Sequence, residues 1–303
     1  MKGKYTPGSE WIYLKFYMSR SFSDKILTDE IFKIIKYVEK EDYIEKFFFI
    51  RYSDPYYHIR LRIKLKNINS INLILNLFQN RLKKYIENDI IWRIQMDTYE
   101  QELQRYNKKL MDITESLFYI DSEYCIKMLK IINKSEIEDY KWKISLISVN
   151  SYLSFFCKSL EDKLKIISSM SESFRYEFGY NINNSKILNE LYRDKRKFVE
   201  NIVSGSKLLN DDPIMKKLIN LLKKRDSEIK ISIEILKNIC LREKINFEQY
   251  IFSYIHMNIN RMIPTNNRVH ELLLYDYIRR FYESEIAKNK YMILTSNQCK
   301  VKV

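Results

Sequence analysis

Four arginines and one histidine are the side chains of this 303-residue sequence that are best suited to chemistry on a substrate: Arg51, Arg60, Arg62, Arg105 and His256. An arginine binds a carboxylate through two parallel N–H donors, and a histidine moves a proton near neutral pH. Fixed cations also stabilise negative charge that develops on an oxygen atom during a reaction. This set of residues therefore suits an elimination or enolate-type reaction on a substrate that carries carboxylates.

Two of the arginines lie in the most regular strand pattern of the sequence, residues 57–66. Alternation with a period of two predicts one apolar face and one cationic face. The two faces would carry Tyr57, Ile59, Leu61, Ile63 and Leu65, and His58, Arg60, Arg62, Lys64 and Lys66. From the pattern alone, the cationic face fits exposure to solvent as well as it fits a binding site.

The segments around this strand predict an α+β fold for the first hundred residues. Apolar or alternating runs indicate further strands over 11–18, 47–52 and 91–99, and a helix is expected to begin with a cap at Ser23. A second helix fits residues 70–87. The resulting β-α-β-β-α-β order is that of an antiparallel split βαβ sheet. Its two helices would cover one face and leave the cationic face free.

The character of the sequence changes near residue 110, after which amphipathic helices follow one another. We predict a sheet subdomain over residues 1–110 and a mainly helical subdomain over 111–303, integrated into one domain. Residues 180–186 are expected to form a loop.

One helix, predicted to end before Pro264, carries an unusual polar stripe. Gln249, Ser253, His256 and Asn260 recur at spacings of four, three and four, which places them on one face of an otherwise apolar helix. A solvated helix face would normally carry Lys and Glu, and buried polar groups need hydrogen-bond partners. The stripe therefore marks His256 as a candidate acid or base.

Composition excludes several other classes of chemistry. The sequence has only 4 glycines and contains no GxxxxGK[ST], GxGxxG, GxSxG or HExxH motif. With 3 histidines and 4 scattered cysteines, we expect no zinc site, no other metal ligands among the site residues and no cofactor, while a Mg²⁺ site of Asp and Glu elsewhere stays open. The formal net charge of +14 favours anionic partners, unless the charge is spread evenly over the surface.

Residues 49–62, FIRYSDPYYHIRLR, match a known family. They closely resemble the FIRYxDPxxHLRLR signature of the lantibiotic-dehydratase C-terminal domain, which also occurs alone as the thiopeptide-type bacteriocin biosynthesis proteins. Residues 11–17, 99–106 and 253–261 resemble the opening strand of that family, its YExExxRYGG segment and its SxxHMxxNR segment, in the same order. The resemblance spans nearly the whole chain.

This resemblance implies a lyase that acts on a ribosomally made precursor peptide. Such an enzyme removes the α-proton of a glutamylated Ser or Thr and expels glutamate, which leaves dehydroalanine or dehydrobutyrine. The catalytic residues that the resemblance implies are His256, Arg60, Arg62 and Arg105. The substrate-binding residues that it implies are Arg51, His58, Glu102, Ser253 and Asn260. Ser253 and Asn260 would orient the ring of His256, and Arg51 would either pair with Asp54 or line the pocket.

The sequence departs from the family pattern at two places. The family's RYGG reads Arg105-Tyr106-Asn107-Lys108, and Asn258 stands where many relatives carry a second histidine. Two other functions therefore stay open. One is a pyridine-forming [4+2] cycloaddition synthase of thiopeptide biosynthesis, and the other is a non-catalytic basic module that binds a leader peptide or RNA.

The implied lyase also predicts partners. We expect the precursor peptide and a separate enzyme that glutamylates it from glutamyl-tRNA, and no direct nucleic acid is required; a cyclase and a homodimer stay open. The sequence shows no secretory signal and no apolar run of about 18–20 residues, so we expect a cytoplasmic protein with reduced cysteines.

Overall fold

A computed structural model describes residues 3–179, 181–205 and 212–300 of the chain. The strands are β1 Lys4–Tyr5, β2 Trp11–Met18, β3 Ile44–Tyr52, β4 His58–Leu65, β5 Ile91–Met96 and β6 Tyr99–Glu100. The helices are α1 Arg20–Ile26, α2 Phe32–Lys40, α3 Ile71–Glu87, α4 Leu103–Tyr106, α5 Met111–Ser135, α6 Asp139–Phe156, α7 Leu160–Glu177, α8 Ile182–Val203, α9 Pro213–Glu243, α10 Glu248–Met262 and α11 Asn267–Lys300. The predicted α+β class is confirmed.

The main sheet has four antiparallel strands in the order β3-β4-β2-β5. The predicted β-α-β-β-α-β succession is confirmed, with one correction at its end. The strand predicted over 91–99 stops at Met96, and Tyr99–Glu100 pairs instead with Lys4–Tyr5 in a separate ribbon. Between the two strands, the Asp97 carboxylate accepts a hydrogen bond from the Thr98 amide.

Two predicted helix boundaries are also wrong. The first helix begins at Arg20 rather than at Ser23, whose hydroxyl lies inside the helix and donates to the carbonyl of Arg20. A π-helical turn, Leu27–Ile31, joins this helix to α2. Most of the loop predicted over 180–186 is helical, since α8 begins at Ile182 and packs against α11, while Tyr180 lies outside the described residues.

The two faces of the sheet have different coverings. On one face, apolar residues such as Phe16 pack against the first helices, with the Phe16 and Phe78 rings 5.6 Å apart. On the cationic face, the β1–β6 ribbon and α4 fold over part of the surface, and Arg62 is only 7% exposed. The prediction of a free cationic face is therefore wrong, because the aromatic residues around Tyr99 close over it and leave clefts.

Helices α5 and α10 lie along the outer side of β3 and join the helical part to the sheet. The Ser122 hydroxyl of α5 accepts from the amide of Phe49, and the Asn260 and Arg261 side chains of α10 bond the main chain of Arg51 and Phe49. Helix α10 ends before Pro264, as predicted. The division at residue 110 stays a prediction, and these bonds cross it.

Candidate active site

Three distant segments of the chain meet in a cleft of about 450 Å³. Arg60 comes from β4, Arg105 from α4 and His256 from α10, and all three line the cleft. A second cleft of about 810 Å³ holds Arg62 and shares Arg60, Arg105 and Glu102 with the first. The four residues predicted to be catalytic are thus brought to two adjoining clefts.

A buried carboxylate holds the ring of His256. The Nδ1 atom of His256 lies 2.8 Å from Oε1 of Glu271, which is fully buried at the start of α11. Arg268 and Tyr275 contact the other oxygen of Glu271, at 3.3 and 3.5 Å, and so fix the carboxylate. No residue in the described part of the chain hydrogen-bonds Nε2 of His256. This ring nitrogen is therefore available to exchange a proton with a ligand in the cleft.

Ser253 and Asn260 do not orient the His256 ring, which corrects the sequence prediction. The Ser253 hydroxyl accepts from Nε of Arg105 at 3.0 Å. The Asn260 side chain bonds both the amide and the carbonyl of Arg51, each at 2.9 Å. Ser253, His256 and Asn260 of the polar stripe are bonded as expected, but they reach three different elements, α4, α11 and β3.

Arg60 is positioned by two aromatic neighbours. Its Nε donates to Nε2 of His58 at 3.0 Å, and its guanidinium lies 3.5 Å from the centre of the Tyr52 ring. Nδ1 of His58 in turn lies 2.7 Å from the carbonyl of Tyr56, to which it donates in the neutral tautomer. Burial, reinforced by the charge of Arg60, lowers the pKa of His58 against the opposing hydrogen bond to Tyr56. Arg60 forms no ion pair with any residue that the structure describes, so its terminal donors can receive a carboxylate.

Arg62 is a buried cation inside a group of rings. Its guanidinium carbon lies 4.7 Å from the ring centre of Tyr13, 5.1 Å from that of Tyr99 and 5.2 Å from that of Phe48. Within the described ranges no carboxylate pairs with Arg62, and its buried Nε has no hydrogen-bond partner. Burying an unpaired charge is costly, and ring faces compensate only part of that cost. An anion entering the second cleft would supply the missing partner.

Arg105 and Glu102 form a weak pair on the rim. Their side chains are 3.4 Å apart and about 38% and 51% exposed, so the pair itself contributes little stability. Nε of Arg105 is fixed by Ser253, which leaves one edge of the guanidinium facing the cleft. Arg105 is therefore a second cation that can bind an anionic ligand beside His256.

Arg51 has a different environment from the other arginines. Its guanidinium is buried and pairs with Asp24 at 2.5 Å, rather than with Asp54 as the sequence suggested. It also donates to the hydroxyls of Tyr57 and Ser23 and to the carbonyl of Arg261. Although burial opposes it, Arg51 and Lys141 hold the pKa of Asp24 below its ordinary value. Arg51 thus lines the cleft with its donors already engaged, which suits a role in positioning.

The structure accounts for both departures from the family pattern by their local surroundings. Asn107 has φ of +62°, in the region that favours glycine, where the family has its first glycine after RY. The Asn258 side chain is buried and bonded to Asp121 and Ser148, at 2.8 and 2.7 Å. Asn258 therefore belongs to the helical core, and its change does not alter the lining of the cleft.

Two site residues were missed by the sequence reasoning. Glu271 carries a usable signal, since it shares the buried face of α11 with Tyr275, Ile278 and Tyr282, where an acid needs a partner. Tyr52 stands inside the signature segment, but nothing in its pattern indicates that it lies against Arg60. Both residues act through contacts that join separate elements.

Three further observations concern the described residues only. No three of their His, Cys, Asp and Glu side chains form a cluster that could hold a metal ion. None of their helices combines the length and the apolar character that a membrane span requires. Cys125, Cys157 and Cys240 are free and buried.

The fold and the cleft define an α+β domain that presents unpaired arginines and a carboxylate-held histidine to an anionic ligand. The family model for the lantibiotic biosynthesis dehydratase C-terminal domain matches residues 11–282 of the chain. The chain belongs to this family, as its signature segments predicted.

Similar proteins agree with this assignment. The chain is 28% identical over 291 residues to the nisin biosynthesis protein NisB of Lactococcus lactis subsp. lactis, which covers 93% of this chain and 26% of NisB. It is 23% identical over 285 residues to the epidermin biosynthesis protein EpiB of Staphylococcus epidermidis, with the same coverage. The chain thus spans about a quarter of the length of these relatives.

Solved structures show the same fold. The tRNA-dependent lantibiotic dehydratase MibB from Microbispora sp. 107891 superposes with a TM-score of 0.76 and 19% identity, over 93% of this chain and 29% of MibB. The pyridine synthase TbtD from thiomuracin biosynthesis superposes with a TM-score of 0.65 and 8% identity, over 91% of this chain and 99% of TbtD. One fold therefore occurs in proteins described by two different activities.

Proposed function

We propose that this chain is a glutamate-elimination lyase that acts on glutamylated Ser or Thr residues of a ribosomal precursor peptide. The observation that carries the proposal is the meeting of Arg60, Arg105 and His256 in one cleft, with Arg62 in the adjoining cleft. Membership of the dehydratase C-terminal family supports the same reaction.

The reaction needs a base, stabilisation of an enolate and an exit for glutamate. A base takes the proton from Cα of the glutamylated residue, and negative charge develops on its carbonyl oxygen. The Cβ–O bond then breaks, the double bond forms between Cα and Cβ, and glutamate leaves as a free carboxylate. Fixed cations lower the barrier because they are already oriented toward the developing charge.

The described side chains fit these tasks. His256 moves a proton through Nε2 while Glu271 holds Nδ1. Arg60 and Arg105 flank the same cleft and would bind the glutamyl carboxylates and the enolate oxygen. Arg62 would receive an anion in the second cleft, where it has no acidic partner among the described residues. The substrate-binding roles of His58, Glu102, Ser253 and Asn260 are then mainly to hold these cations and their strand in place.

Glutamylation would come from a separate enzyme. MibB, which shares this fold, is described as a tRNA-dependent lantibiotic dehydratase. We infer that the attachment of glutamate from glutamyl-tRNA belongs to a partner, and that the glutamylated peptide passes to this chain.

The proposal is tested with a synthetic peptide that carries one O-glutamyl serine, incubated with the protein and with its His256→Ala variant. Mass spectrometry should show loss of glutamate and formation of dehydroalanine with the unsubstituted protein. The variant should be slower by roughly 100-fold or more, as expected for loss of a general acid or base. His270→Ala is the matched control, because His270 is a histidine of α11 that lines neither cleft.

Other outcomes would redirect the assignment. If the glutamyl ester persists with the unsubstituted protein, elimination is wrong, and a peptide with two dehydroalanines then tests cycloaddition. If peptide or RNA binds with a steep salt dependence and His256→Ala changes nothing, the chain is a basic binding module.

A further inference from the structure

The open edge of the sheet is the most informative surface outside the two clefts. The amide of Asp97 donates to the carbonyl of Tyr13 at 3.0 Å, so these two residues form a hydrogen-bonded pair. Hydrogen-bonded pairs alternate along an antiparallel ladder, and the pairs Lys15–Gln95 and Tyr17–Arg93 follow in register. The main-chain groups of Ile94 and Met96, which lie between these pairs, therefore point away from β2.

These outward groups have no partner in the part of the chain that the structure describes. Strand β5 is the last strand of the sheet, and no main-chain or side-chain hydrogen bond reaches the amide or carbonyl of Ile94 or Met96. An unpaired edge is a template for another extended chain, and natural proteins usually protect such edges with Lys, Pro or a covering element. Here the edge carries Ile94, which is 36% exposed.

Exposed aromatic side chains continue this edge. The register shift between Tyr17 and Met18 makes Trp92 the extra residue of a bulge, and its side chain is 46% exposed. Tyr56, 63% exposed, meets Trp92 edge to face with the ring centres 5.5 Å apart. Trp92, Tyr56 and Phe22 line a recess of about 390 Å³. Aromatic rings beside an open edge favour an extended peptide with apolar side chains.

The edge is continuous with the catalytic cleft. Tyr57 lines both the recess beside Trp92 and the cleft that holds His256. On the cationic face, Arg60, Lys15 and Gln95 lie in one row across three neighbouring strands. Arg93 extends the positive charge to the edge, where it lies over the Tyr17 ring and has no acidic partner among the described residues.

We propose that the edge of β5 binds, as an added strand, the extended segment of the peptide substrate that flanks the glutamylated residue. The inference rests on the proposed function for the presence of a peptide substrate. The segment would alternate in character, with an acidic side chain facing Arg93 on the cationic face and apolar side chains beside Trp92 and Ile94. Main-chain pairing would tolerate many sequences in the bound segment.

The sheet geometry sets the spacing between the bound segment and the reacting residue. Strands are about 4.8 Å apart, so an added strand lies about 14 Å from β4, which carries Arg60. An extended residue spans about 3.3 Å, so at least about four residues must separate the two positions. Peptides with a shorter flank should lose the benefit of the edge.

The test uses a synthetic peptide with one O-glutamyl serine and a Val-Glu-Val-Glu-Val flank that begins five residues away. Hydrogen–deuterium exchange should show slower exchange of the Ile94 and Met96 amides, by at least about tenfold, when the peptide is saturating. The same peptide with N-methylated flank residues is the matched control, because it keeps the side chains but loses half of the main-chain pairing.

Steady-state kinetics give a second readout. Ile94→Pro removes an amide that points outward, and it should raise KM about tenfold while kcat is unchanged, since it touches neither cleft. Trp92→Ala should also raise KM. Ile231→Ala, at a 65% exposed position of α9, controls for loss of an exposed apolar side chain and should change neither constant.

The outcomes separate this inference from the proposed function. Elimination with no protection of the β5 amides and no change in KM would overturn the edge as a binding site and leave the lyase standing. Protection of these amides without elimination would support the edge and overturn the lyase. If the peptide neither binds nor reacts, both are wrong.

Discussion

The two outermost strands of the sheet differ in the hydrogen bonding of the main-chain groups that point outward. On β3, the outward main-chain groups of Phe49 and Arg51 are all bonded, by Ser122 and by Asn260 and Arg261. On β5, the outward groups of Ile94 and Met96 have no bond from any described residue. Side chains of packed helices thus close the end of β3 that lies beside the cleft, and the contrast supports the proposal that the edge of β5 receives a ligand.

The closed edge also positions the reacting group. Asn260 lies one helical turn after His256 on α10, and the next residue, Arg261, reaches the carbonyl of Phe49. The same strand ends in Tyr52, which lies against Arg60. Closing β3 therefore fixes the distance between His256 and the arginine strand, so the bonds that stabilise this edge also position the proposed site.

The largest effect is expected at Arg261. Its side chain is fully buried, bonds the Phe49 carbonyl at 2.9 Å and pairs with Asp121 at 3.0 Å. Arg261→Met should lower the free energy of unfolding by about 3–5 kcal/mol, because Asp121 is left buried with part of its charge uncompensated. Urea denaturation measures this change. An effect below about 1 kcal/mol would mean that the β3 edge does not depend on α10.

Glu271→Gln should lower turnover without disturbing the hydrogen bonds that close the edge of β3. Glu271 belongs to the helical layer and touches His256, but it bonds no strand. We expect kcat to fall by about 100-fold with KM little changed, since an amide no longer fixes the tautomer and orientation of the imidazole through Nδ1. Loss of stability with an unchanged kcat would make Glu271 a purely structural residue.

Asn260→Ala removes both side-chain bonds to Arg51. Two main-chain groups would lose their partners, and we expect the free energy of unfolding to fall by about 2 kcal/mol. Because α10 is then free to shift, kcat should fall more than KM rises. Ser122→Ala removes a single bond from the same edge and is the graded control, with about half the cost and no change in kcat. Equal costs for the two variants would contradict the role given to Asn260.

The elements that carry the site could be predicted from the sequence because their patterns are local. The alternation over 57–66 placed Arg60 and Arg62 on one face of a strand, and β4 spans His58–Leu65. The spacing of Ser253, His256 and Asn260 predicted one helical face, and all three lie on α10. A period of two or of about 3.6 fixes which residues share a face, without information on what packs there.

The partners of those residues could not be predicted, because they come from other elements. Asp24 rather than Asp54 holds Arg51, since the first helix packs close to β3. Glu271 meets His256 only because α11 turns back along α10 after Pro264. The cover over Arg62 likewise depends on where the β1–β6 ribbon folds. The family resemblance indicated the site residues, but not these contacts.

His58 lies between the two edges and should give the site a pH dependence. Its pKa is lowered by burial and by Arg60, so below the ordinary histidine pKa of about 6.5 the unfolded chain takes up the proton more readily. Stability should therefore fall as the pH falls from 7 to 5. His58→Gln keeps an acceptor for Arg60 without a titrating group, and its stability should fall less. Urea denaturation at pH 7 and pH 5 measures this change. An equal loss in the free energy of unfolding for the two proteins would contradict the role given to His58.

The smallest effect is expected at the open edge. Ile94→Pro removes an amide that points away from β2, and proline is tolerated at such positions of edge strands. We expect the free energy of unfolding to change by less than about 1 kcal/mol, close to the range of ordinary surface substitutions. Thermal and urea denaturation without peptide measure this change.

Gln95→Pro is the control for that prediction, because the two residues are neighbours in the same strand. Gln95 forms a pair with Lys15 in which the main-chain bonds are made, so proline there removes a bond of the ladder. Its cost should exceed that of Ile94→Pro by at least about 1 kcal/mol. The reverse order would mean that β5 pairs with β2 in the other register. The main-chain groups of Ile94 would then bond β2, and those of Gln95 would point outward. The main-chain groups proposed to bind the peptide would already have partners.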